Sequence, residues 1–139
     1  MIYLSGKRAG DRYEGEYYEN KFHGQGTYYW GTGDWYQGEW EMGTQHGKGT
    51  YVWADENFYE GEWANGKREG KGTFTWSTGI LTGDVYEGEF QANMKHGQGV
   101  HYFDDGDIFR GTYENDVMMG DFEVLCLFFN PPPRHPPQP

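Results

Sequence analysis

Cysteine is almost missing from this sequence: Cys126 stands alone, so no disulfide can close within the chain and nothing points to an oxidising compartment. Serine is nearly as rare, and neither Ser5 nor Ser77 sits in a nucleophile motif. No stretch approaches the ~20 apolar residues of a membrane span. Met1 to Gly10 lacks the apolar run of a signal peptide. The chain is therefore expected to be soluble and intracellular. Aliphatic core residues are scarce, which argues against a compact globule with a Leu/Ile/Val centre. Basic residues are few: 11 Lys and Arg face 22 Asp and Glu, for a formal net charge of −11. That balance disfavours nucleic acid, which needs a basic surface, and broad attraction to anionic membranes. One local exception is Lys67, Arg68 and Lys71, read either as solvated charges near a turn or as a lipid-contacting cluster.

Glycine and aromatic residues are abundant instead: 23 glycines, and 19% Phe, Trp and Tyr. They recur at fixed spacing. Tyr36-Gln37-Gly38-Glu39-Trp40 returns as Tyr59-Glu60-Gly61-Glu62-Trp63 and Tyr86-Glu87-Gly88-Glu89-Phe90. It appears upstream as Tyr13-Glu14-Gly15-Glu16-Tyr17 and, degraded, downstream as Phe109-Arg110-Gly111-Thr112-Tyr113. A second block keeps step: His23-Gly24-Gln25-Gly26, His46-Gly47-Lys48-Gly49, Glu69-Gly70-Lys71-Gly72 and His96-Gly97-Gln98-Gly99. The extra residues between the third and fourth units fall within Ser77 to Val85, where a loop lengthened outside a sheet is the simple reading. Both blocks alternate with period two, the signature of strands. Asn65-Gly66 between them is a hairpin turn signal. One unit is thus one hairpin. A lone hairpin is marginal in water, so the hairpins must stack, rings covering glycines.

The pattern Y-x-G-E-W, a short turn and H-G-x-G resembles the MORN repeat (membrane occupation and recognition nexus) over Tyr13 to about Gly120. The resemblance implies an all-β fold, an elongated, twisted, single antiparallel sheet of consecutive hairpins. It also implies binding, usually of proteins on cytoskeletal or ciliary structures, with phosphoinositide contact in some members. In character the chain looks closest to ciliary MORN proteins of the radial spoke head type. The expected organisation is an N-terminal cap or partial repeat over 1–12, an array over 13–120, an apolar strand over 121–129 and a Pro-rich tail over 130–139.

No catalytic, cofactor or metal site is expected. His23, His46 and His96 occupy one repeat position, but successive hairpins place them roughly 10 Å apart, too far to share a zinc ion. Their expected role is a hydrogen bond that fixes the turn. Pairs such as Gly47 and Gly49 lack the fuller phosphate-loop pattern. Glu16, Glu39, Glu62 and Glu89 recur along an open sheet that offers no closed cleft for paired carboxylates.

The candidate partner-binding residues are aromatic: Trp30, Trp53, Trp76 and Phe103 form one line, and Tyr28, Tyr51, Phe74 and Tyr102 a second, upstream line. Phe122 to Phe129 is the most apolar stretch and reads as a strand buried on both faces. Phe122, Val124, Leu125, Leu127, Phe128 and Phe129 are therefore assembly candidates, through a homodimer or a protein partner. The Pro-rich tail suits an SH3- or profilin-like groove, or serves as an inert end. Together these features point to a non-catalytic scaffold or adaptor in a cytoskeletal or ciliary assembly. The alternatives are a phosphoinositide-contacting module and the targeting region of a larger enzyme.

Overall fold

A computed structural model describes residues 2–3, 10–126 and 136–139. The strands, in chain order, are β1 (Ile2–Tyr3), β2 (Arg12–Tyr18), β3 (Lys21–Tyr29), β4 (Trp35–Glu41), β5 (Thr44–Val52), β6 (Phe58–Ala64), β7 (Lys67–Thr75), β8 (Val85–Gln91), β9 (Met94–Tyr102), β10 (Asp107–Glu114) and β11 (Val117–Cys126). They form one antiparallel sheet in which spatial order equals sequence order. At ~4.8 Å per strand the sheet extends roughly 48 Å. The expected all-β array of consecutive hairpins is what the chain adopts.

Register aligns the repeats across the whole sheet. Tyr13, Tyr28, Tyr36, Tyr51, Tyr59, Phe74, Tyr86, His101 and Phe109 are successive cross-strand partners. Two residues along each strand runs an unbroken line of glycines, from Gly15 and Gly26 through Gly61 and Gly72 to Gly99 and Gly111. The two lines depend on each other. The ring of Tyr59 lies directly over Gly72, where a Cβ would sit within 3 Å of its Cε2, Cζ and Oη atoms. Tyr13, Tyr36 and Tyr86 cover Gly26, Gly49 and Gly99 in the same way. All four tyrosines are fully buried, although only one layer of sheet lies behind them. Each phenol donates to a backbone carbonyl three residues on, as Tyr59 does to Glu62 at 2.8 Å. Burial pushes the Tyr13 phenol up to about 12 and raises those of Tyr36, Tyr59 and Tyr86 as well, so the donors keep their protons.

The glutamate of each Y-x-G-E block has a structural task that its sequence pattern does not announce. The first glycine of the second block takes positive φ, +59° at Gly47 and +95° at Gly70, in the left-handed region that favours glycine. The strand pairing slips there, opposite Glu39 and Glu62. The displaced backbone N–H is recovered by the carboxylate: Gln25 N donates to Glu16, Lys48 N to Glu39, Lys71 N to Glu62 and Gln98 N to Glu89. The fifth unit has Thr112 in place of this glutamate and lacks the device.

Every hairpin turns through two left-handed residues: Glu19-Asn20, Met42-Gly43, Asn65-Gly66, Ala92-Asn93 and Asn115-Asp116. This is the geometry of two-residue hairpin turns whose twist matches the strands. Each turn from the second hairpin on is tied to the hairpin before it: Gly43 N donates to Phe22 O, Gly66 N to Gln45 O, Asn93 N to Arg68 O and Asp116 N to Lys95 O. His23 Nδ1 adds to this by accepting from Met42 N, the expected turn-fixing role. Glu69, where histidine was expected, accepts from Ala92 N at 2.7 Å and performs the same task. His46 instead meets Glu41 at 3.1 Å.

Connections between hairpins also follow one plan. Trp30 N bonds Asp34 O and Gly33 N bonds Trp30 O, and the same pair of bonds recurs at Trp53 and Phe103. The long connection keeps both, Trp76 N to Asp84 O and Gly83 N to Trp76 O, and extrudes its extra residues with Ile80 fully exposed at the tip. The insertion therefore leaves the sheet unchanged, as its composition suggested.

The C-terminal expectation needs correction. β11 begins at Val117 and pairs with β10, so the apolar segment continues the second strand of a fifth hairpin across the expected boundary at residue 121. Phe122 and Val124 are 48% and 50% exposed rather than buried on both faces. Their cross-strand neighbours lie on β10 alone, and within the described residues no further strand follows. Leu127, Phe128, Phe129, the side chain of Cys126 and residues 130–135 lie outside what the structure describes.

A Cβ at Gly61 would meet Gly72 Cα, Lys71 O and Tyr59 Oη within 3 Å, whereas Glu60 is exposed on the opposite face. Gly61→Val is therefore expected to destabilise by about 3 kcal/mol or more, and Glu60→Ala to stay within about 0.5 kcal/mol. Thermal unfolding of the two variants checks this, and equal melting temperatures would contradict ring-on-glycine packing.

Candidate partner-binding face

The tyrosine and glycine lines share one face of the sheet with two ladders of rings. The first is buried: Tyr13, Trp40, Tyr36, Trp63, Tyr59, Phe90, Tyr86 and Tyr113 meet edge to face, with centroids 5.0–5.8 Å apart. Indole N–H groups anchor it, Trp40 to Gly26 O and Trp63 to Gly49 O, both at 3.0 Å. The second ladder is half-buried except at His101, which is buried. Tyr28, Trp30, Tyr51, Trp53, Phe74, Trp76, His101, Phe103 and Phe109 follow one another as a ribbon of rings at 4.3–5.4 Å, tilted on one another except that Trp76 stacks on His101 and Phe103 meets Phe109 edge to face; Trp30 to Tyr51 and its equivalents step between hairpins. The ribbon therefore crosses the sheet from β3 to β10 and leaves ring edges at the surface.

A carboxylate or amide at the start of each hairpin staples the ribbon to the next. Asp11 accepts from Tyr28 Oη at 2.7 Å and from Gly31 N at 2.8 Å. Asp34 accepts from Tyr51 Oη and Ala54 N at the same distances. In the third hairpin Phe74 has no hydroxyl, and the acid is replaced by Asn57, whose Oδ1 accepts from Ser77 N at 2.7 Å. In the fourth, His101 replaces tyrosine and its Nε2 lies 2.8 Å from Asp84 Oδ2, while Asp104 N donates to Oδ1. Burial, aided by the Lys95 charge, lowers the His101 pKa despite Asp84, so the ring stays neutral at physiological pH and donates from Nε2 to the carboxylate. Changes at one position are thus matched at the other, seventeen residues along, by hydrogen-bond arithmetic.

The structure brings most of the aromatic candidates together. Trp30, Trp53, Trp76 and Phe103 are equivalent and lie in the ribbon with Tyr28, Tyr51 and Phe74. Tyr102 does not belong with them. It pairs with Val85 and Ile108, in the row that contains Tyr29, Trp35, Val52 and Phe58 on the opposite face. The residue equivalent to Tyr28 is His101, which counting aromatic letters alone passes over. The matched Asp84 was the signal that could have identified it. The basic cluster is also divided. Arg68 turns onto the aromatic face, with its guanidinium 5.5–5.9 Å from the centroids of Trp53, Tyr59, Phe74 and Phe90. Lys67 pairs with Ala64 and alternates away from Arg68, and Lys71 lies on the opposite face beside Glu60, Glu87 and Thr73. Lys95, not a candidate from sequence, occupies the place equivalent to Arg68, with its ammonium 5.0–5.4 Å from Trp76, Tyr86 and Tyr113. Among the described residues no group of three or more His, Cys, Asp or Glu side chains is arranged to hold a metal ion. No helix among them is long and apolar enough to cross a membrane.

An open array of hairpins that presents one continuous ring-lined face defines the chain as a β-hairpin repeat protein. The MORN repeat matches four times, at residues 13–35, 36–58, 59–80 and 86–108, well over half of the chain, and the chain belongs to the MORN-repeat family. Repeats of this family are generally scaffold modules that bind proteins or membranes, typically without enzymatic activity. No curated protein matches the chain.

Tyr51→Phe is expected to cost about 1 kcal/mol or more by leaving Asp34 Oδ2 without its donor. Adding Asp34→Asn recreates the natural Phe74 and Asn57 combination and should recover at least half of that loss. Urea unfolding of both variants measures it, and a double variant no more stable than the single one would contradict the matched-pair account.

Proposed function

We propose that this chain is a non-catalytic scaffold or adaptor that holds a protein partner against its aromatic face, within a cytoskeletal or ciliary (axonemal) assembly. The observation that carries the reading is the half-buried ribbon from Tyr28 to Phe109. Rings held rigid by staples and by each other lose little conformational freedom on binding, and aromatic residues are enriched where proteins meet. The cytoskeletal and ciliary setting rests on resemblance to radial spoke head type proteins. A phosphoinositide-contacting role is less well supported, because Lys67 and Lys71 lie away from Arg68 and the net charge of −11 repels an anionic surface. The half-exposed Phe122 and Val124 support pairing of two copies through β11, and sedimentation of the purified chain tests that association. The Pro-rich tail remains a proposed ligand for SH3- or profilin-like grooves.

Crosslinking in ciliated cells, followed by mass spectrometry, tests the main proposal. Trp53→Ala with Trp76→Ala should remove the protein crosslinks gained by the unaltered chain, and the variant's melting curve establishes that it remains folded. Crosslinks that persist in a folded double variant, or a chain absent from cilia and cytoskeleton, would overturn it.

A further inference from the structure

One position in each hairpin faces the rings from the start of its second strand: Phe22, Gln45, Arg68, Lys95 and, in the fifth, Met118. In the first hairpin Phe22 stacks flat on Tyr13, centroids 4.0 Å apart. Packing at this place is therefore satisfied by an apolar ring, and in the second hairpin by a neutral amide. The third and fourth hairpins install cations there instead, in a chain with twice as many acidic as basic residues. Among the described residues neither cation forms an ion pair. Arg68 Nη2 donates to Asn93 O at 2.7 Å and its Nε to Asn93 Oδ1 at 3.5 Å, which leaves Nη1 without a protein acceptor among the described residues. The Lys95 ammonium rests over three rings, and the nearby Asp116 carboxylate accepts from the Lys95 backbone N–H at 2.8 Å. Two partly desolvated cations, flanked by Trp53 and Trp76, thus have no carboxylate within ion-pair distance, although Asp116 acts on both and Asp84 on Lys95 from farther away.

We propose that Arg68 and Lys95 form a paired carboxylate-binding site on the aromatic face, and that its occupant is an amphipathic helix of a protein partner carrying two acidic residues seven positions apart. The inference rests on the binding role proposed for that face. The two residues lie two strands apart, roughly 10 Å. Residues i and i+7 of a helix are separated by about 10.5 Å along its axis. The ribbon runs across the strands for roughly 34 Å from β3 to β10, about 22 helical residues. An extended segment lying across the strands would find the sheet's N–H and C=O groups already paired in plane, whereas a helix satisfies its own backbone. An apolar stripe on the helix covers the ring edges, and its two carboxylates meet the cations at the third and fourth hairpins.

The test uses synthetic helical peptides of 22 residues with a Leu/Phe stripe: one with two glutamates seven apart, one with both changed to glutamine, and one with the glutamates three apart. Titration into the full chain is followed by tryptophan fluorescence. The first peptide should bind at least tenfold more tightly than the other two. Arg68→Gln with Lys95→Gln should erase that advantage while leaving the glutamine peptide's affinity unchanged. Gln45 already occupies this position in the second hairpin, so the variant should fold, and its melting curve verifies this. Equal affinity for all three peptides, no binding by any, or an advantage that survives the double substitution would overturn the proposal. So would tighter binding of phosphoinositide vesicles than of the acidic peptide through the same two residues. Equal peptide affinities that are all lost in Trp53→Ala would sink the charge pairing and leave the aromatic-face reading standing.

Discussion

A tyrosine ring laid on a bare glycine backbone is the contact on which the rest of this structure depends. A single sheet has no second layer to bury its apolar residues against, and a hairpin alone is marginal in water. The chain solves this within the sheet. Tyr13, Tyr36, Tyr59 and Tyr86 lie down over glycines of the neighbouring strand and reach full burial, because no side chain stands in the way. Glycine weakens a strand on its own account. The cost is offset because each glycine admits a ring that buries far more area than an aliphatic side chain would. The edge-to-face ladder then joins these rings into a core that runs along the sheet instead of into the centre of a globule.

Everything that repeats serves that contact. The glutamates hold the displaced strand backbone beside the glycines, the left-handed turns dock on the preceding hairpin, and the aspartate staples fix the second ladder. Since each device links a hairpin only to its neighbours, stability accumulates along the array, as in other repeat proteins. The same locality explains why the long connection at 77–84 is harmless. It preserves the two bonds that close the connection and sends Ile80 into solvent. It also explains why substitution is tolerated in pairs. Tyrosine with aspartate, phenylalanine with asparagine, and histidine with aspartate are three solutions to one hydrogen-bond requirement.

Much of this was legible in the sequence. The period of the blocks located the hairpins, and alternation gave the faces of Tyr59, Gly61 and Trp63. The Asn65-Gly66 pair marked one turn; Glu19-Asn20 and Ala92-Asn93 form the same geometry without that signal. The role of Glu16 and its equivalents was hidden, because the backbone N–H it accepts from lies nine residues away across a slipped register. Tyr102 was misplaced for a related reason: His101 holds the tyrosine position, and a search restricted to aromatic letters moves one residue along and onto the wrong face. Lys95 was missed because a lone lysine carries no signal until the register places it beside Arg68. The segment from Phe122 to Phe129 looked buried on both faces because composition reports hydrophobicity but not how many neighbours a strand has.

The face that this packing leaves available is narrow in chemistry: ring edges held in place, with two cations near one end. The recognition surface proposed above is built from the residues that hold the fold together. The proposed partner binding would therefore draw on the same rings as stability. The most direct measurement of the central claim is the proton NMR shift of glycine α-hydrogens. With rings lying on them, one α-hydrogen of each of Gly26, Gly49, Gly72 and Gly99 should be moved far upfield, while Gly111, whose nearest neighbours are Phe122 Cβ and Cα and Met118 Cγ and no ring atom, should appear in the ordinary range. Ordinary shifts at all five glycines would contradict the account.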